Sequence, residues 1–248
     1  MTDPRIHERR VRVARETGRR RRRAILASLA LALVVAGGFA LVHSSLFGAR
    51  HVEISGPAHA SHTEVVRVAG LEGAPPLVDL SAALIARRVE TLPWVQTATV
   101  SLSWPTTVHI RVTGRIPVAL VAVASGGYAL VDPTGRVLED VATKPAGFPT
   151  IAVSGSIPRP GGDLNRDGAS LARVAAATPQ SMVSEIAVIA RGPLGIEVRL
   201  PGKLVAVLGN DTLLADKFVA LKTVLTRVDL RGVTTIDLRV PSAPVLNK

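Results

Sequence analysis

From Ala24 to Ala49 the chain carries no Asp, Glu, Lys or Arg. The apolar heart of this stretch, AILASLALALVVAGGFALV (Ala24–Val42), is 19 residues long. As a helix it would measure about 28 Å, close to the ~30 Å hydrocarbon core of a bilayer. Gly37 and Gly38 weaken a soluble helix but are tolerated in a membrane span. Arg19, Arg20, Arg21, Arg22 and Arg23 abut the apolar start directly. The pattern predicts a transmembrane helix over 24–46 whose core runs from Ala24 to Val42. By the positive-inside rule, the N-terminus is then cytoplasmic and residues 50–248 are extracytoplasmic. The alternative is a cleavable signal peptide, which has a shorter apolar region and a small-residue cleavage site. HSSLFGAR, after the apolar run, offers no such site, so an uncleaved anchor is the expectation.

Charge divides the chain in the same place. The net charge is +11, but residues 1–23 hold ten Arg against three acids and supply +7 of it. The other 225 residues carry twenty Lys and Arg against sixteen acids, a balance of +4. A basic cytoplasmic tail over 1–23 therefore precedes a nearly neutral body. The high isoelectric point gives no reason to expect nucleic-acid binding by that body. The tail could attract anionic lipid or nucleic acid; with no aromatic or folded partner segment beside it, its expected role is to set topology. The chain has no Cys, which excludes disulfides, thiolate nucleophiles and Cys-ligated metals.

Beyond the anchor, RHVEISG (Arg50–Gly56) alternates like a short strand. SHTEVVRVAG follows, with Ser61 and Glu64 spaced as a capping box and Gly70 as a helix stop. Asp79 can cap a second helix carrying Leu80, Leu84, Ile85, Val89 and Leu92, stopped by Pro93. Next, Ala98, Val100, Leu102 and Trp104 alternate with Thr97, Thr99, Ser101 and Ser103. After WPT, Val108, Ile110 and Val112 alternate with Thr107, His109, Arg111 and Thr113. Two half-buried strands with a tight connection predict an antiparallel hairpin. Its apolar face needs cover, and the two preceding helices are the nearest source. The expected unit, residues 50–114, is a β-α-α-β-β domain with three strands and both helices on one face. Trp94 and Trp104, the only tryptophans, are expected to pack as wedges at the ends of this sheet.

The rest is richer in strands. VALVAVASGGYALVDPTGRVLED predicts three strands separated by turns at Ser125-Gly126-Gly127 and Asp132-Pro133-Thr134-Gly135. FPTIAVSG adds a short strand and Ala169–Ala177 a helix. SEIAVIARGPLGIEVRLPGKLVAVLGN predicts a three-stranded meander. Asn210 and Asp211 then stand as caps for a helix bearing Leu214, Phe218, Leu221 and Leu225. The last strand lies within Thr234–Pro241. Overall the fold class is α+β: a single N-terminal transmembrane helix, the small β-α-α-β-β domain, and a larger mixed β-rich domain with two helices (115–241). A flexible tail is expected over 242–248.

Recognisable chemistry is sparse. DLNRDG (Asp163–Gly168) opens like a calcium-binding loop, but the twelfth position is Val174 instead of a bidentate Glu; a polar turn entering a helix is the expected role. His51, His59 and His62 lack the spacing of H-E-x-x-H and are expected to be solvated. Nucleophile-elbow, S-x-x-K, P-loop and dinucleotide motifs are missing. No catalytic residue, metal site or cofactor is assigned.

The ordered set of anchor, LPWV (Leu92–Val95), WPTTVHIRV, R-x-P-x-A (Arg115–Ala119), VD-x-x-G (Val131–Gly135) and IDLRVP (Ile236–Pro241) resembles the FtsQ/DivIB family of bacterial cell-division proteins, with its membrane-proximal POTRA domain. The likeness covers residues 20–244. Gly114 stands where the family usually has Glu, and Val240 where it usually has an aromatic. The resemblance implies a non-enzymatic divisome scaffold at the septum of the cytoplasmic membrane. It would bind FtsL-like and FtsB/DivIC-like bitopic proteins and help control septal peptidoglycan synthesis, contacting membrane lipid but no nucleic acid and no small-molecule substrate. It places partner contacts at Arg239, Val240 and Ser242, and the strand that carries them adds Ile236, Asp237 and Leu238 to the expected site. The expected mode is strand addition to a terminal edge strand, Ile236–Val240. The alternative is a membrane-anchored cell-wall hydrolase or peptidase, which would need convergent carboxylates or a paired Ser and Lys. A transporter-assembly POTRA protein would need a long barrel-forming region, and too little chain follows for one.

Overall fold

A computed structural model describes residues 4–248 apart from 57, 58, 60 and 125; for residues 4–21, 24 and 45 it describes the backbone alone. The side chains of Arg19, Arg20, Arg21 and Ala24 thus lie outside the described residues, while those of Arg22 and Arg23 are exposed. One helix, α1 (Pro4–Val42), carries the anchor sequence. Its segment Ile25–Val42 is apolar and long enough to cross a membrane, and none of it is buried against the protein. The helix ends at Val42, short of 46. A 3-10 turn, Ser45–Phe47, follows.

The first folded unit holds β1 (His51–Ser55), α2 (His62–Ala69), α3 (Ala82–Val89), β2 (Val95–Ser103) and β3 (Thr107–Gly114). The sheet order is β1-β3-β2. The hairpin β2-β3 is antiparallel and β1 joins β3 in parallel, a pairing that needs the long crossover which α2, α3 and β2 supply. Val108, Ile110 and Val112 of the central strand are buried against Val65 and Ala69 of α2 and Ile85 and Val89 of α3. Ser61 caps α2 by accepting from the Glu64 amide at 3.2 Å, and Gly70 closes it in the left-handed region. The second cap differs from expectation. Asp79 sits in a 3-10 turn, Leu77–Asp79, and Ser81 caps α3 by accepting from the Leu84 amide at 3.4 Å. Leu84 is correspondingly exposed; the buried stripe is Ile85, Val89 and Leu92, an i, i+4, i+7 series.

The second unit is one nine-stranded mixed sheet in the order β12-β11-β10-β9-β8-β7-β4-β5-β6. Its strands are β4 (Ala119–Ala122), β5 (Tyr128–Val131), β6 (Val137–Val141), β7 (Thr150–Ala152), β8 (Val188–Gly192), β9 (Gly195–Arg199), β10 (Val205–Gly209), β11 (Thr235–Asp237) and β12 (Val245–Asn247). Helices α4 (Arg166–Ala177) and α5 (Leu214–Arg227) supply Leu171, Val174, Phe218 and Leu221 to the main core, where they meet Ile189, Val198, Leu208 and Ile236. The start of α5 departs from the sequence expectation. Leu213 precedes it with φ 51° and no side-chain cap. Asn210 and Asp211 are engaged elsewhere: Asn210 accepts from the Thr212 hydroxyl at 2.7 Å and Asp211 pairs with Arg173 at 2.6 Å. DLNRDG behaves as a helix entry. Asn165 caps α4 by accepting from the Gly168 amide at 2.8 Å, and Asp163 and Asp167 pair with Arg136 and Arg191.

The two units meet on the sheet face away from α4 and α5. There Leu120, Leu130 and Leu138 form a separate small cluster with Tyr128, Phe148 and Trp94. Trp94 is therefore a wedge, but between the units, and it stacks on His59 with ring centroids 4.2 Å apart. Trp104 departs from expectation. It is 56% exposed and touches Phe47 with ring centroids 5.9 Å apart.

Candidate partner-binding site

Two places concentrate polar order: the joint between the units and the C-terminal edge of the large sheet. At the joint, Arg115 of R-x-P-x-A donates to the Val95 carbonyl at 2.9 Å and to Asp132 Oδ2 at 2.6 Å. Asp132, from VD-x-x-G, uses Oδ1 to accept from the Thr134 amide, the Thr134 hydroxyl and the Arg136 amide at 2.8, 2.6 and 3.0 Å. Arg136 reaches back to the Thr91 carbonyl at 3.2 Å. Burial pushes the Asp132 carboxyl up, but the bonds from Thr134, Arg115 and the two backbone amides outweigh it and hold the group below the ordinary range. Sequence reading found both motifs without finding that they pair. Their shared signal was opposite charge on the residues that directly follow β3 and β5.

At the C-terminal edge the predicted site residues split by strand alternation. Ile236 and Leu238 are fully buried in the main core with Phe218 and Leu221. Asp237 and Arg239 point the other way and form a fork: Arg239 Nε lies 3.1 and 3.0 Å from the two carboxylate oxygens and Nη2 lies 2.7 Å from Oδ2. These hydrogen bonds hold the Asp237 carboxyl low and raise the guanidinium further. Gly209 lies under this fork with φ +74°, and a Cβ there would approach Arg239 Cγ to 2.9 Å. Val240 is 58% exposed and Ser242 is exposed. Pro241, Ser242 and Pro244 form one wall of an open groove of about 460 Å³ whose other wall is α5, chiefly Val219, Ala220 and Thr223.

The expected edge strand is corrected here. β11 spans Thr235–Asp237 and is an interior strand, parallel to β10 on one side and antiparallel to β12 on the other. The pairs are Thr235↔Asn247, Ile236↔Leu246 and Asp237↔Val245. Residues 242–248 are therefore not a free tail: a proline-bearing turn returns the chain alongside β11. At this end of the sheet the outermost described strand is β12, with Val245, Leu246 and Asn247 exposed; β6 is the outermost at the other end. The prolines at 241 and 244 end up in the turn, where no ladder hydrogen bond is asked of them.

A general-acid carboxyl needs a raised pKa. Asp132, Asp211, Asp229 and Asp237, the carboxylates whose values shift, are all lowered, each with an Arg beside it. Among the described residues no group of three or more His, Asp or Glu could hold a metal ion.

Residues 47–115 match the family described as POTRA domain, FtsQ-type, and residues 119–239 that described as cell division protein FtsQ/DivIB, C-terminal. The chain is 29% identical over 221 residues to cell division protein FtsQ of Mycolicibacterium smegmatis, covering 89% of this chain and 63% of that one. It is 35% identical over 146 residues to FtsQ of Streptomyces collinus, covering 58% and 55%. It thus spans less than two thirds of the length of either relative. The solved major extracytoplasmic domain of the cell division protein DivIB from Geobacillus stearothermophilus aligns with 46% of this chain and 95% of its own, at 19% identity and a TM-score of 0.32. At that score the likeness adds nothing to the assignment. The two matches are adjacent, in the order of the two folded units, and follow a single apolar helix; the chain belongs to the FtsQ/DivIB family of bacterial cell-division proteins.

Proposed function

We propose that this chain is a non-enzymatic, membrane-anchored scaffold of the division machinery, with its Arg-rich tail in the cytoplasm and residues 50–248 outside. Its division into a first unit over 50–114 and a second from 115 onward, with residues 242–247 built into the second, puts the Arg115–Asp132 pair at the junction. The scaffold binds FtsL-like and FtsB/DivIC-like bitopic proteins at the septum, links divisome members on the two sides of the membrane, and so helps control septal peptidoglycan synthesis.

The observation that carries the partner reading is the outer edge of β12. β12 pairs with β11 on one side alone, and an outer edge with no neighbour among the described residues leaves backbone N–H and C=O groups that an added strand satisfies. Val240 and Ser242 lie in the chain leading to that edge, and the apolar groove along α5 gives a place for side chains of a helix or extended segment next to it. The Asp237–Arg239 fork stiffens the turn from which they project. The test is capture of purified FtsL-like and FtsB/DivIC-like partners by the full chain and by Val240→Lys. Val240→Lys is expected to fold normally and to lose capture. Undiminished capture by a folded Val240→Lys protein refutes the site.

A further inference from the structure

We propose that the membrane-proximal end of the first unit rests in the lipid interface, with Trp104 at the β2–β3 turn as its principal anchor. The inference rests on the reading of α1 as a membrane span.

Three segments make this end of the unit, and each is tied to the helix exit. The first is residues 43–49, which leave α1 directly; here His43 Nε2 lies 3.3 Å from Asp79 Oδ1. The second is residues 75–79, joined to the first by the Ala49 amide donating to the Pro75 carbonyl at 2.9 Å and by the Gly48–Pro76 bridge. The third is the turn 103–106, joined by the His51 amide donating to the Thr106 carbonyl at 3.1 Å and by the Phe47–Trp104 ring contact. Phe47 lies only five residues beyond Val42, the last of the span. At an upper limit of about 3.6 Å per residue this places the Phe47 backbone within ~18 Å of the span's end, with Trp104 in ring contact beside it.

The composition of this end does not suit water. Within the three segments Asp79 is the only Asp, Glu, Lys or Arg, and it is engaged by His43. Three large apolar side chains are nonetheless turned outward: Leu46 is 59% exposed, Val78 44% and Trp104 56%. Trp104 is one of two tryptophans in a chain with 3% aromatic residues. A Trp with an apolar body and one N–H donor is suited to the headgroup boundary, where one end is dry and the other wet. Outward-facing apolar side chains at the mouth of a span have the bilayer as their nearest apolar surface. The docking would fix the tilt of the unit on the membrane, and through the Arg115–Asp132 joint the orientation of the large sheet and of β12.

The experiment reconstitutes the full chain and Trp104→Phe in phosphatidylcholine–phosphatidylglycerol vesicles, with nitroxide labels placed near the headgroup or near the acyl-chain end. Both proteins are floated with the vesicles before indole emission is read. The expected result is loss of on the order of half of the wild-type emission, one indole of two, with the shallow label quenching more than the deep one. Trp104→Phe retains Trp94, which is packed between the units and stacked on His59, and is expected to show little quenching. A chain that floats with an unquenched Trp104 overturns the docking and leaves the anchor standing. If that unquenched indole is also shielded from aqueous iodide, a second copy covers the patch in place of lipid. A chain that fails to float overturns the anchor reading and the docking together.

Discussion

Replacing Arg115 by Met tests whether the joint between the two units is a structural clamp. The Arg115 side chain is 14% exposed and that of Asp132 is 4% exposed. Removing one partner of a buried pair costs about 3–5 kcal/mol, because the other charge is left uncompensated. Asp132 Oδ1 keeps its three bonds from Thr134 and Arg136, so the lower end of that range applies, about 3 kcal/mol. At about 2–4 °C per kcal/mol for a chain of this size, Tm should fall by about 6–12 °C. Calorimetry of the full chain in detergent reads this directly, and the endotherm should separate into two because the clamp couples the two cores. Asp132→Asn in the Arg115→Met background should restore part of the loss, since no buried charge then lacks a partner. The folded-state pKa of Asp132 is lowered, so its stabilising contribution is present above the unfolded value near 3.9 and is lost as pH falls through the folded value. The gap between wild type and Asp132→Asn should therefore close on acidification below about pH 4. An Arg115→Met protein that melts like wild type, or a gap that widens in acid, refutes the clamp.

Other perturbations have separable outcomes. Leu238→Ala empties a fully buried position and should lower stability to urea by about 2–5 kcal/mol. Gly209→Ala forces a Cβ into the left-handed region and against Arg239; a loss of about 1–2 kcal/mol is expected, and wild-type stability would show that the fork yields freely. Lys217→Met removes the donor that reaches the Leu208 carbonyl at 2.7 Å and the Asn210 side-chain oxygen at 2.8 Å, so about 1–3 kcal/mol should be lost in chemical denaturation. Val240→Lys, at an exposed position, should stay within about 0.5 kcal/mol of wild type in the same assay.

The hairpin β2-β3, the stripe of α5 and the meander β8-β9-β10 were legible because each is written as a pattern over neighbouring residues. Caps were legible only where one candidate stood at the boundary. Ser61 did, but Asp79 competed with Ser81, and Asn210 and Asp211 were drawn away by Lys217 and Arg173. The candidate site was legible as a segment and misread as an edge. Nothing periodic in Val245–Asn247 announces a strand, and its pairing with β11 exists only after the turn at Pro241–Pro244 brings the chain back.

By itself, then, the sequence determined the uncharged apolar stretch with its Arg flank, the order of strands and helices from β1 to β11, and the apolar faces of the β2-β3 hairpin and of α5. These follow from charge solvation and from side-chain direction along a helix or strand, which are local. Tertiary structure alone decided that β1 lies parallel beside β3, that β12 rather than β11 is the outer strand, and that Arg115 meets Asp132. It alone decided that Trp94 is packed between the units while Trp104 stands exposed beside Phe47. Each depends on which distant backbone groups and charges find one another when the chain closes, and no window of neighbouring residues encodes that choice.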